Sequence, residues 1–375
     1  MPLMEVGVDV RENYYPRVIV DLNKVRHNMK EIVGRCAELG IEVTGVIKGA
    51  SADPEITKCF VEAGCTWIAT SRMDQFHELE KQGCDLPFYL IRVPMISELE
   101  DVVRTCDISM HSDISVLKAT AEEARKQGKI HKIILMKDVG DLREGFWEIE
   151  EMIEAAKFVE ADPNLYLLGT GVNIGCYGSV QATVPTLQMS VDAHKACEEA
   201  IGRRIEYISG PDSSALPRVF DKTMPKEINS MRLGFAMIYG GEDLENFYDT
   251  PCPFLEKGVW RIAAEVLECR DKASHPIGTL GVDAFGKHPV YEDRGIRKKA
   301  LVGVGRIDVV ALDEMIPVDE GIEVLGGSSD HTILDVTDYK GDLKAGDILE
   351  FYVRYTGGVY ATINPGMAIQ YIGKK

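Results

Sequence analysis

Short apolar runs alternate with helical periods over residues 17–240, and this alternation constrains the fold more than any other feature. A first run, RVIVD, leads into a segment whose apolar residues recur at helical spacing. Eight further runs are predicted strands: 42–48, 67–70, 87–92, 108–110, 131–137, 166–172, 205–209 and 228–233. Alternating strands and helices indicate a parallel sheet, and eight strands favour a closed (β/α)8 barrel. A doubly wound open sheet is the alternative.

The pattern changes after about residue 245. Short apolar or alternating segments separated by Gly, Pro and Asp predict a mostly antiparallel β domain, in an α/β chain overall. These segments are 259–269, 299–311, 321–325, 331–336, 348–356 and 367–373. We therefore expect an N-terminal segment 1–16, a barrel 17–245 and a β domain 246–375. The strand 17–21 is surplus to the count of eight, so we expect it to pack near the β domain.

Charge and cysteine content exclude several classes of protein. With 42 basic and 60 acidic residues the net charge is −18, which argues against nucleic-acid or anionic-membrane partners. The sequence has no apolar run of about 18 residues, and its first residues include acids and no apolar core, so we expect no signal peptide there. Its nine cysteines form no CxxC pair and no Cys/His zinc pattern. We therefore expect most of the cysteines to be buried as thiols, the protein to reside in a reducing cytoplasm, and no metal site to be present.

Lys48 closes the predicted strand 42–48. The carboxyl ends of barrel strands face the active site, so this lysine is expected at the barrel mouth. A lysine there can simply reach water at the rim. A desolvated lysine amine is also suited to Schiff-base chemistry.

Two polar turns follow the last two barrel strands. Ser213 and Ser214 follow the seventh, and Arg232 and Gly234 end the eighth, shortly before Tyr239. Loops in these places often bind phosphate, although small polar turns are usually only turns. In a closed barrel the eighth barrel strand, 228–233, lies beside the first barrel strand, 42–48. We therefore expect these residues to converge on Lys48. A lysine, a phosphate cradle and an arginine together suggest pyridoxal 5′-phosphate.

Several long motifs then resemble one family, the ornithine racemase branch of the alanine racemase-like (fold type III) pyridoxal-phosphate enzymes. The motifs are YPRVIVDLNKVRHNMKEIV, GVIKGASADPEI, ISELEDVV, DVGDLREG, CYG, PKEINSMRLG, GVDAFGKHPVYEDRGIRKKA and GGSSDHTILDVTD. The resemblance extends from about Tyr15 to about Tyr355. It implies a barrel followed by a β domain, and a homodimer whose sites include residues of both chains.

The resemblance also implies roles for individual residues. Lys48 would form the aldimine with the cofactor, Arg232 would hold the pyridine nitrogen, and Arg143 would reach the phenolic oxygen. Asn173 would lie over the ring, and the phosphate would be held by Ser213, Ser214, Gly234 and the backbone up to Tyr239. Arg143 could instead pair with Asp141 or Glu144, and Asn173 could be a turn residue.

Racemisation needs a base on each face of the substrate. Lys48 would serve one face, and Tyr177, Asp283 or His331 would serve the other. Tyr177 could merely line the pocket, and His331 could be an ordinary loop residue. Asp308 is a further candidate of the β domain.

Three positions depart from the family pattern. Pro211 and Asp212 stand where the family usually has Gly-Asn, and Phe235 stands where it usually has Glu. Proline lacks an N–H, and a carboxylate beside phosphate is repulsive. The predicted function is racemisation of ornithine or a similar diamino acid through an external aldimine. The alternatives are another enzyme on this scaffold, such as a decarboxylase, and a non-catalytic carrier of the cofactor.

Overall fold

A computed structural model of the chain describes residues 14–374 and divides them into two compact units. The first runs from Lys24 to Lys257, and the second joins the residues up to Asn23 to those from Gly258 onward. The first unit therefore extends about a dozen residues beyond the expected boundary at 245. Most of the expected segment 1–16 lies outside the described residues.

Hydrogen bonds explain the later boundary. The Asn28 side chain donates to Glu256 O over 2.9 Å and accepts from Glu256 N–H over 2.7 Å. The Cys252 thiol donates to Gly241 O over 3.4 Å. The chain that follows residue 245 is thus tied back onto the first unit.

The elements up to residue 257 follow one another in βα order. They are β1 Arg17–Asp21, α1 Leu22–Ala37, β2 Glu42–Val46, α2 Pro54–Ala63, β3 Trp67–Thr70, α3 Met73–Lys81, β4 Phe88–Leu90, α4 Leu99–Thr105, β5 Ile108–His111, α5 Ile114–Gln127, β6 His131–Lys137, α6 Ile149–Ala161, β7 Leu165–Val172, α7 Val184–Ile201, β8 Tyr207–Ser209, α8 Leu216–Phe220, β9 Ser230–Leu233, α9 Phe235–Tyr239 and α10 Glu242–Tyr248. Strands β2 to β9 close a parallel barrel, as the sequence predicted.

The barrel is built from a filled interior and an outer layer. The interior is packed with alternate side chains of the strands, among them Val46, Tyr89, Met110, Met136 and Leu168. The opposite faces of β6 and β7 pack against α5, α6 and α7 in a second apolar cluster. Large apolar side chains on both faces are what a parallel strand inside a helical ring requires.

The second unit is mostly an antiparallel sheet. Its elements from residue 258 onward are β10 Trp260–Ala273, β11 Ile296–Val302, α11 Arg306–Val309, β12 Ile316–Pro317, β13 Glu323–Gly327, β14 Thr332–Asp335, β15 Ile348–Tyr352, α12 Tyr355–Ile363 and β16 Ala368–Ile372. β1 pairs antiparallel with β10 and parallel with β16. The surplus first strand is therefore part of this sheet, as its sequence position indicated, and does not belong to the barrel.

Three segments differ in type from the sequence prediction. The segment 299–311 ends its strand at Val302 and then contains the short helix α11 Arg306–Val309. The predicted strand 42–48 ends at Val46, and Ile47–Ala50 form a 3₁₀ turn that contains Lys48. The segment 348–356 ends its strand at Tyr352 and enters α12, whose residues YTGGVYATI show almost no polar face. Periodicity could not reveal such a helix. No helix within residues 14–374 is long and apolar enough to cross a membrane.

Candidate active site

Lys48 lies in the turn that leaves β2 at the carboxyl end of the barrel. It is half-buried, and its Nζ makes no hydrogen bond or ion pair with any other residue between 14 and 374. Ser51 and Ala52, which follow this turn, have φ values of 51° and 59°, a left-handed conformation that non-glycine residues rarely adopt. Such strain is concentrated at functional sites. The turn therefore holds the Lys48 amine at the barrel mouth without a hydrogen bond or ion pair to the described residues.

Arg232 lies on β9, the strand beside β2, where it is in register with Thr44. It is 4% exposed. Its guanidinium donates to the Ser209 hydroxyl and, over 2.7 Å, to Val172 O. Three strands thus hold one cation inside the barrel. Because a guanidinium stays protonated, Arg232 can only donate to a ligand.

Tyr89 lies beside Arg232 on the inner face of β4. Burial raises the pKa of its phenol, while the positive charge of Arg232 and contact with Ser209 act in the opposite direction. The phenol therefore stays neutral around pH 7, and it is a further polar group next to the buried guanidinium.

The turns after β8 and β9 are joined to each other and to the Lys48 turn. Ser213 is fully buried, and its Oγ accepts the Ala236 N–H over 3.5 Å. The Tyr239 hydroxyl donates to Gly49 O over 2.5 Å, next to Lys48. A Cβ at Gly234 would lie 3.0 Å from Val46 O. This close approach of β9 to β2 accounts for the glycine.

The residues after β7 meet the β8 turn around Cys176. Its Sγ lies 3.6 Å from Asn173 Oδ1 and 3.6 Å from Asp212 Oδ2. Burial of the thiol raises the pKa of Cys176, and Asp212 raises it further, whereas Arg143 and Lys48 act in the opposite direction. Asn173 is buried, and its Nδ2 has no hydrogen-bond partner within residues 14–374. This buried donor therefore remains available to a ligand.

Asp212 also shapes the β8 turn. Its Oδ1 accepts the Ser214 N–H over 2.8 Å and so caps the 3₁₀ turn Ser213–Ala215. The Arg232 N–H donates to the Pro211 carbonyl over 3.4 Å and so links this turn to β9. Ser214 is buried, and its Oγ donates to Ile174 O over 3.5 Å.

Arg143 lies on the loop between β6 and α6. Its guanidinium pairs with the neighbouring Glu144, as the salt-bridge interpretation of the sequence anticipated, and its side chain is 38% exposed. The loop itself is firmly held, since Lys137 Nζ donates to the carbonyls of Asp138, Phe146 and Trp147 over 2.7, 3.0 and 2.8 Å.

Asp141 is not a partner of Arg143. Its buried carboxylate accepts the backbone N–H groups of Gly175 and Tyr177 over 2.9 and 3.2 Å, so it fixes the segment that carries Cys176. The DVGDLREG motif therefore contributes a structural acid that the sequence prediction used only as a possible ion-pair partner.

The candidate second bases lie in different surroundings. Tyr177 follows Cys176, and its residue is 72% exposed. Asp283 belongs to the sheet unit, where its Oδ1 accepts the N–H groups of Lys287 and Phe285 over 2.8 and 2.9 Å. The bond from Lys287, followed by that from Phe285, holds the pKa of this carboxyl below its usual range. His331 belongs to the same unit, at the start of β14, and its carbonyl accepts the Ser328 N–H over 2.8 Å.

Asp308, also of the sheet unit, is buried and accepts from Gly305 N–H and Asn364 Nδ2 over 2.9 and 3.1 Å. Burial raises the pKa of this carboxyl. Sequence reasoning missed Tyr89 and Tyr248 altogether. Tyr89 carries a signal, an inward position on a barrel strand. Tyr248 ends the short helix α10 and carries none; burial, followed by the charge of Asp212, raises the pKa of its phenol to about 12. Within residues 14–374, no group of three or more His, Cys, Asp or Glu side chains could hold a metal ion.

Comparison with known proteins adds a family match. The model of the family described as "Alanine racemase, N-terminal domain" matches residues 20–243. The chain is 37% identical over 351 residues to a lysine racemase of Thermotoga maritima, covering 94% of this chain and 97% of the relative. It is 34% identical over 361 residues to an ornithine racemase of Acetoanaerobium sticklandii, covering 96% and 99%.

Among solved structures, the chain resembles an alanine racemase of Streptomyces lavendulae. The TM-score is 0.74 at 19% identity, and the match covers 97% of this chain and 99% of that one. At this identity the likeness concerns the fold, a barrel combined with a β-sheet domain.

Proposed function

Since the chain belongs to the alanine racemase N-terminal domain family, we propose that it is a pyridoxal 5′-phosphate-dependent racemase of ornithine or a similar diamino acid. The observation that carries the proposal is the unengaged Lys48 amine beside the strand that holds the buried Arg232. The lysine and ornithine racemases support the substrate class, because each is similar over nearly its full length.

The residues at the barrel mouth fit this cofactor. Lys48, with its unengaged Nζ, lies in the turn after β2, and Asn173, with its buried and unpartnered Nδ2, follows β7. Ser213 lies in the turn after β8, and Arg232 lies on β9. The residues that would hold the cofactor are Lys48, Arg143, Asn173, Ser213, Ser214, Arg232, Gly234 and Tyr239. When bound, the cofactor withdraws electrons from the α-carbon of an amino acid and so makes its hydrogen acidic.

Arg232 limits how strongly the site withdraws electrons. Its guanidinium is fixed by Ser209 and Val172, and a guanidinium stays protonated, so it would donate to the ring nitrogen of a bound cofactor without protonating it. A milder electron demand suits the return of a proton to the α-carbon better than reactions that need a long-lived carbanion. This argument favours racemisation over decarboxylation.

Lys48 would move the proton on one face of the α-carbon, because its amine lies at the barrel mouth and makes no hydrogen bond or ion pair within residues 14–374. The second base is Tyr177, Asp283 or His331. Tyr177 has an exposed side chain on the same unit as Lys48. Asp283 is the weakest of the three, because its carboxylate is held in the ionised form by backbone N–H groups and binds a proton poorly.

A homodimer and a cytoplasmic location belong to the same proposal. The segment between β10 and β11 exposes large apolar side chains, with Ile277 94% and Val290 97% exposed. Such a surface is suited to a second copy of the chain. All nine cysteines are free thiols, which fits a reducing compartment. Sedimentation of the purified protein would measure the oligomeric state.

One set of measurements tests the proposal. The purified protein should absorb visible light, and borohydride should fix the cofactor on the peptide that contains Lys48. L-Ornithine in deuterated water should yield D-ornithine carrying deuterium at Cα, and the mixture should approach equal enantiomers. A label on another lysine would contradict the site. Carbon dioxide release without Cα exchange of unconverted substrate would indicate a decarboxylase, and cofactor binding without turnover of any amino acid would indicate a carrier.

A further inference from the structure

One buried carboxylate joins two loops of the barrel mouth. Asp141 lies on the loop after β6, and its residue is only 1% exposed. Its Oδ1 accepts Gly175 N–H over 2.9 Å and Val180 N–H over 3.5 Å. Its Oδ2 accepts Tyr177 N–H over 3.2 Å. All three donors belong to the segment 173–180 after β7, so this carboxylate ties that segment to the loop after β6.

The same segment also packs against the main chain of Asp141. A Cβ at Gly178 would lie 2.6 Å from Asp141 O and 3.0 Å from both its carbonyl carbon and its Cα. Such distances are too short for non-bonded atoms, so the approach requires a glycine. The segment is therefore held by Asp141 through its carboxylate and through its backbone.

Asn173 begins this segment, and its backbone is fixed on both sides. On one side, Val172 O accepts the Arg232 guanidinium over 2.7 Å. On the other side, Gly175 N–H donates to Asp141. The position of Asn173 is thus set by β9 and by the β6 loop, in addition to its own strand.

The Asn173 side chain holds a hydrogen-bond donor without a partner. The residue is 7% exposed, and its Oδ1 lies 3.6 Å from the Cys176 thiol. Its Nδ2 is buried and makes no hydrogen bond to any residue between 14 and 374. A buried donor in this state raises the free energy of the folded protein until a ligand accepts from it. The amide is therefore held for a ligand at a cost in stability.

We propose that Asp141 is a positioning residue that aims the Asn173 amide at the cofactor by holding the segment 173–180. The inference rests on the proposed function and deepens it, because it assigns part of cofactor recognition to a residue that acts through another. A carboxylate suits this role, since its two oxygens can accept all three N–H groups. An asparagine has one oxygen, and its amide N–H groups would face one of the backbone donors.

The test is a double-mutant cycle on the affinity of the apoprotein for pyridoxal 5′-phosphate, measured by titration and visible absorbance. Asp141→Asn and Asn173→Ala should each weaken binding by about tenfold in the wild-type background. Because Asp141 acts through Asn173, adding Asn173→Ala to the Asp141→Asn protein should cost less than about threefold. A residue that merely stabilised the fold would leave the full effect of Asn173→Ala. A larger further loss, or a loss below about threefold in either single variant, would overturn the proposal.

Asp138→Asn is the matched control. Asp138 is another buried acid of the same loop, and its Oδ1 accepts the N–H groups of Gly140 and Leu142 over 2.8 and 3.2 Å. These bonds stay within the β6 loop, so Asn173→Ala should keep its effect of about tenfold in the Asp138→Asn protein. If Asp138→Asn suppresses that effect as well, general loosening of the loop explains the result and the proposal fails.

Gly178→Ala disturbs the same contact without removing the acid, so the test remains decisive if Asp141→Asn does not fold. It should also reduce the cost of Asn173→Ala to less than about threefold. Hydrogen exchange of the apoprotein gives a readout that needs no cofactor. In each folded variant that disturbs the contact, the Gly175 and Tyr177 amides should exchange at least about tenfold faster than in wild type. Exchange within about threefold of wild type would overturn the inference.

Failure of the inference is distinguishable from failure of the proposed function. If wild type binds the cofactor and exchanges the α-hydrogen of an amino acid, additive losses in the cycle refute only the positioning role of Asp141. If wild type binds no pyridoxal 5′-phosphate, the proposed function has failed and the inference falls with it. If wild type binds the cofactor but shows no Cα exchange, racemisation has failed, while the cycle still decides whether Asp141 positions Asn173.

Discussion

The barrel wall and the loop after β6 hold their polar groups in different ways. On the wall, Arg232 is buried, and its guanidinium donates to oxygen atoms of Ser209 and Val172 on the neighbouring strands. On the loop, the backbone is fixed by Lys137, but the Arg143 side chain is partly exposed and pairs with Glu144. Arg232 on its strand is therefore preorganised for a ligand. Arg143 on the loop must instead exchange its partner Glu144 for the ligand.

The barrel wall contains a second set of buried polar side chains, which belong to β5 and β6. Ser109 Oγ lies 2.8 Å from His111 Nε2 and 2.8 Å from His131 Nε2, and all three residues are almost fully buried. Burial, followed by the proximity of His131, lowers the pKa of His111 to about 3. Burial, followed by Lys129 and Lys132, lowers the pKa of His131 to about 4. Both imidazoles are neutral in the folded protein at pH 7.

The largest expected effect is acid destabilisation of this wall. Both folded pKa values lie below the unfolded value of 6.5, so the unfolded chain binds more protons as the pH falls from about 6.5 towards 4. Between pH 7 and pH 5 the free energy of unfolding should fall by about 2 kcal/mol per histidine. Urea unfolding at the two pH values measures it. His111→Gln should remove about half of the pH-dependent change in unfolding free energy that His111 and His131 contribute together. If the change between pH 7 and pH 5 is the same in this variant, the buried histidines of the wall do not cause the acid destabilisation.

The second prediction compares the two arginines directly. Arg232→Lys should lower kcat/KM by about a hundredfold, since an ammonium cannot reproduce the planar fork that reaches Ser209 and Val172 together. Arg143→Lys should lower it by only about tenfold or less, because an exposed loop cation gains less from fixed geometry. Steady-state racemisation of the preferred amino acid measures both. Equal losses would mean that the loop is as preorganised as the wall in the loaded enzyme.

This contrast also explains what the sequence could predict. The barrel, the β domain and the pairing of β2, which precedes Lys48, with β9, which carries Arg232, follow from strand periodicity and barrel closure, because strand ends in a closed barrel have fixed positions. The partners of Arg143 could not be fixed, since Asp141 and Glu144 are both adjacent in sequence and only the loop conformation separates them. The same holds for Cys176 and Asp212, which are 36 residues apart and meet through side chains of two turns. The roles assigned to the site residues stay predictions.

The smallest expected effect tests whether Arg143 must leave Glu144 to meet the cofactor. Glu144→Gln keeps a hydrogen-bond acceptor beside the guanidinium but removes the charge that holds it, and partly exposed ion pairs contribute about 1 kcal/mol or less. If the ion pair competes with the cofactor, affinity for pyridoxal 5′-phosphate should rise by about two- to fivefold, a change equivalent to at most about 1 kcal/mol. Titration of the apoprotein, followed by visible absorbance, measures this affinity. Glu98→Gln is a suitable control, because Glu98 pairs with Arg92 after β4 in a similar partly exposed ion pair. A weaker affinity in Glu144→Gln alone would mean that Glu144 orients Arg143 towards the cofactor, so that the loop is preorganised by its own ion pair.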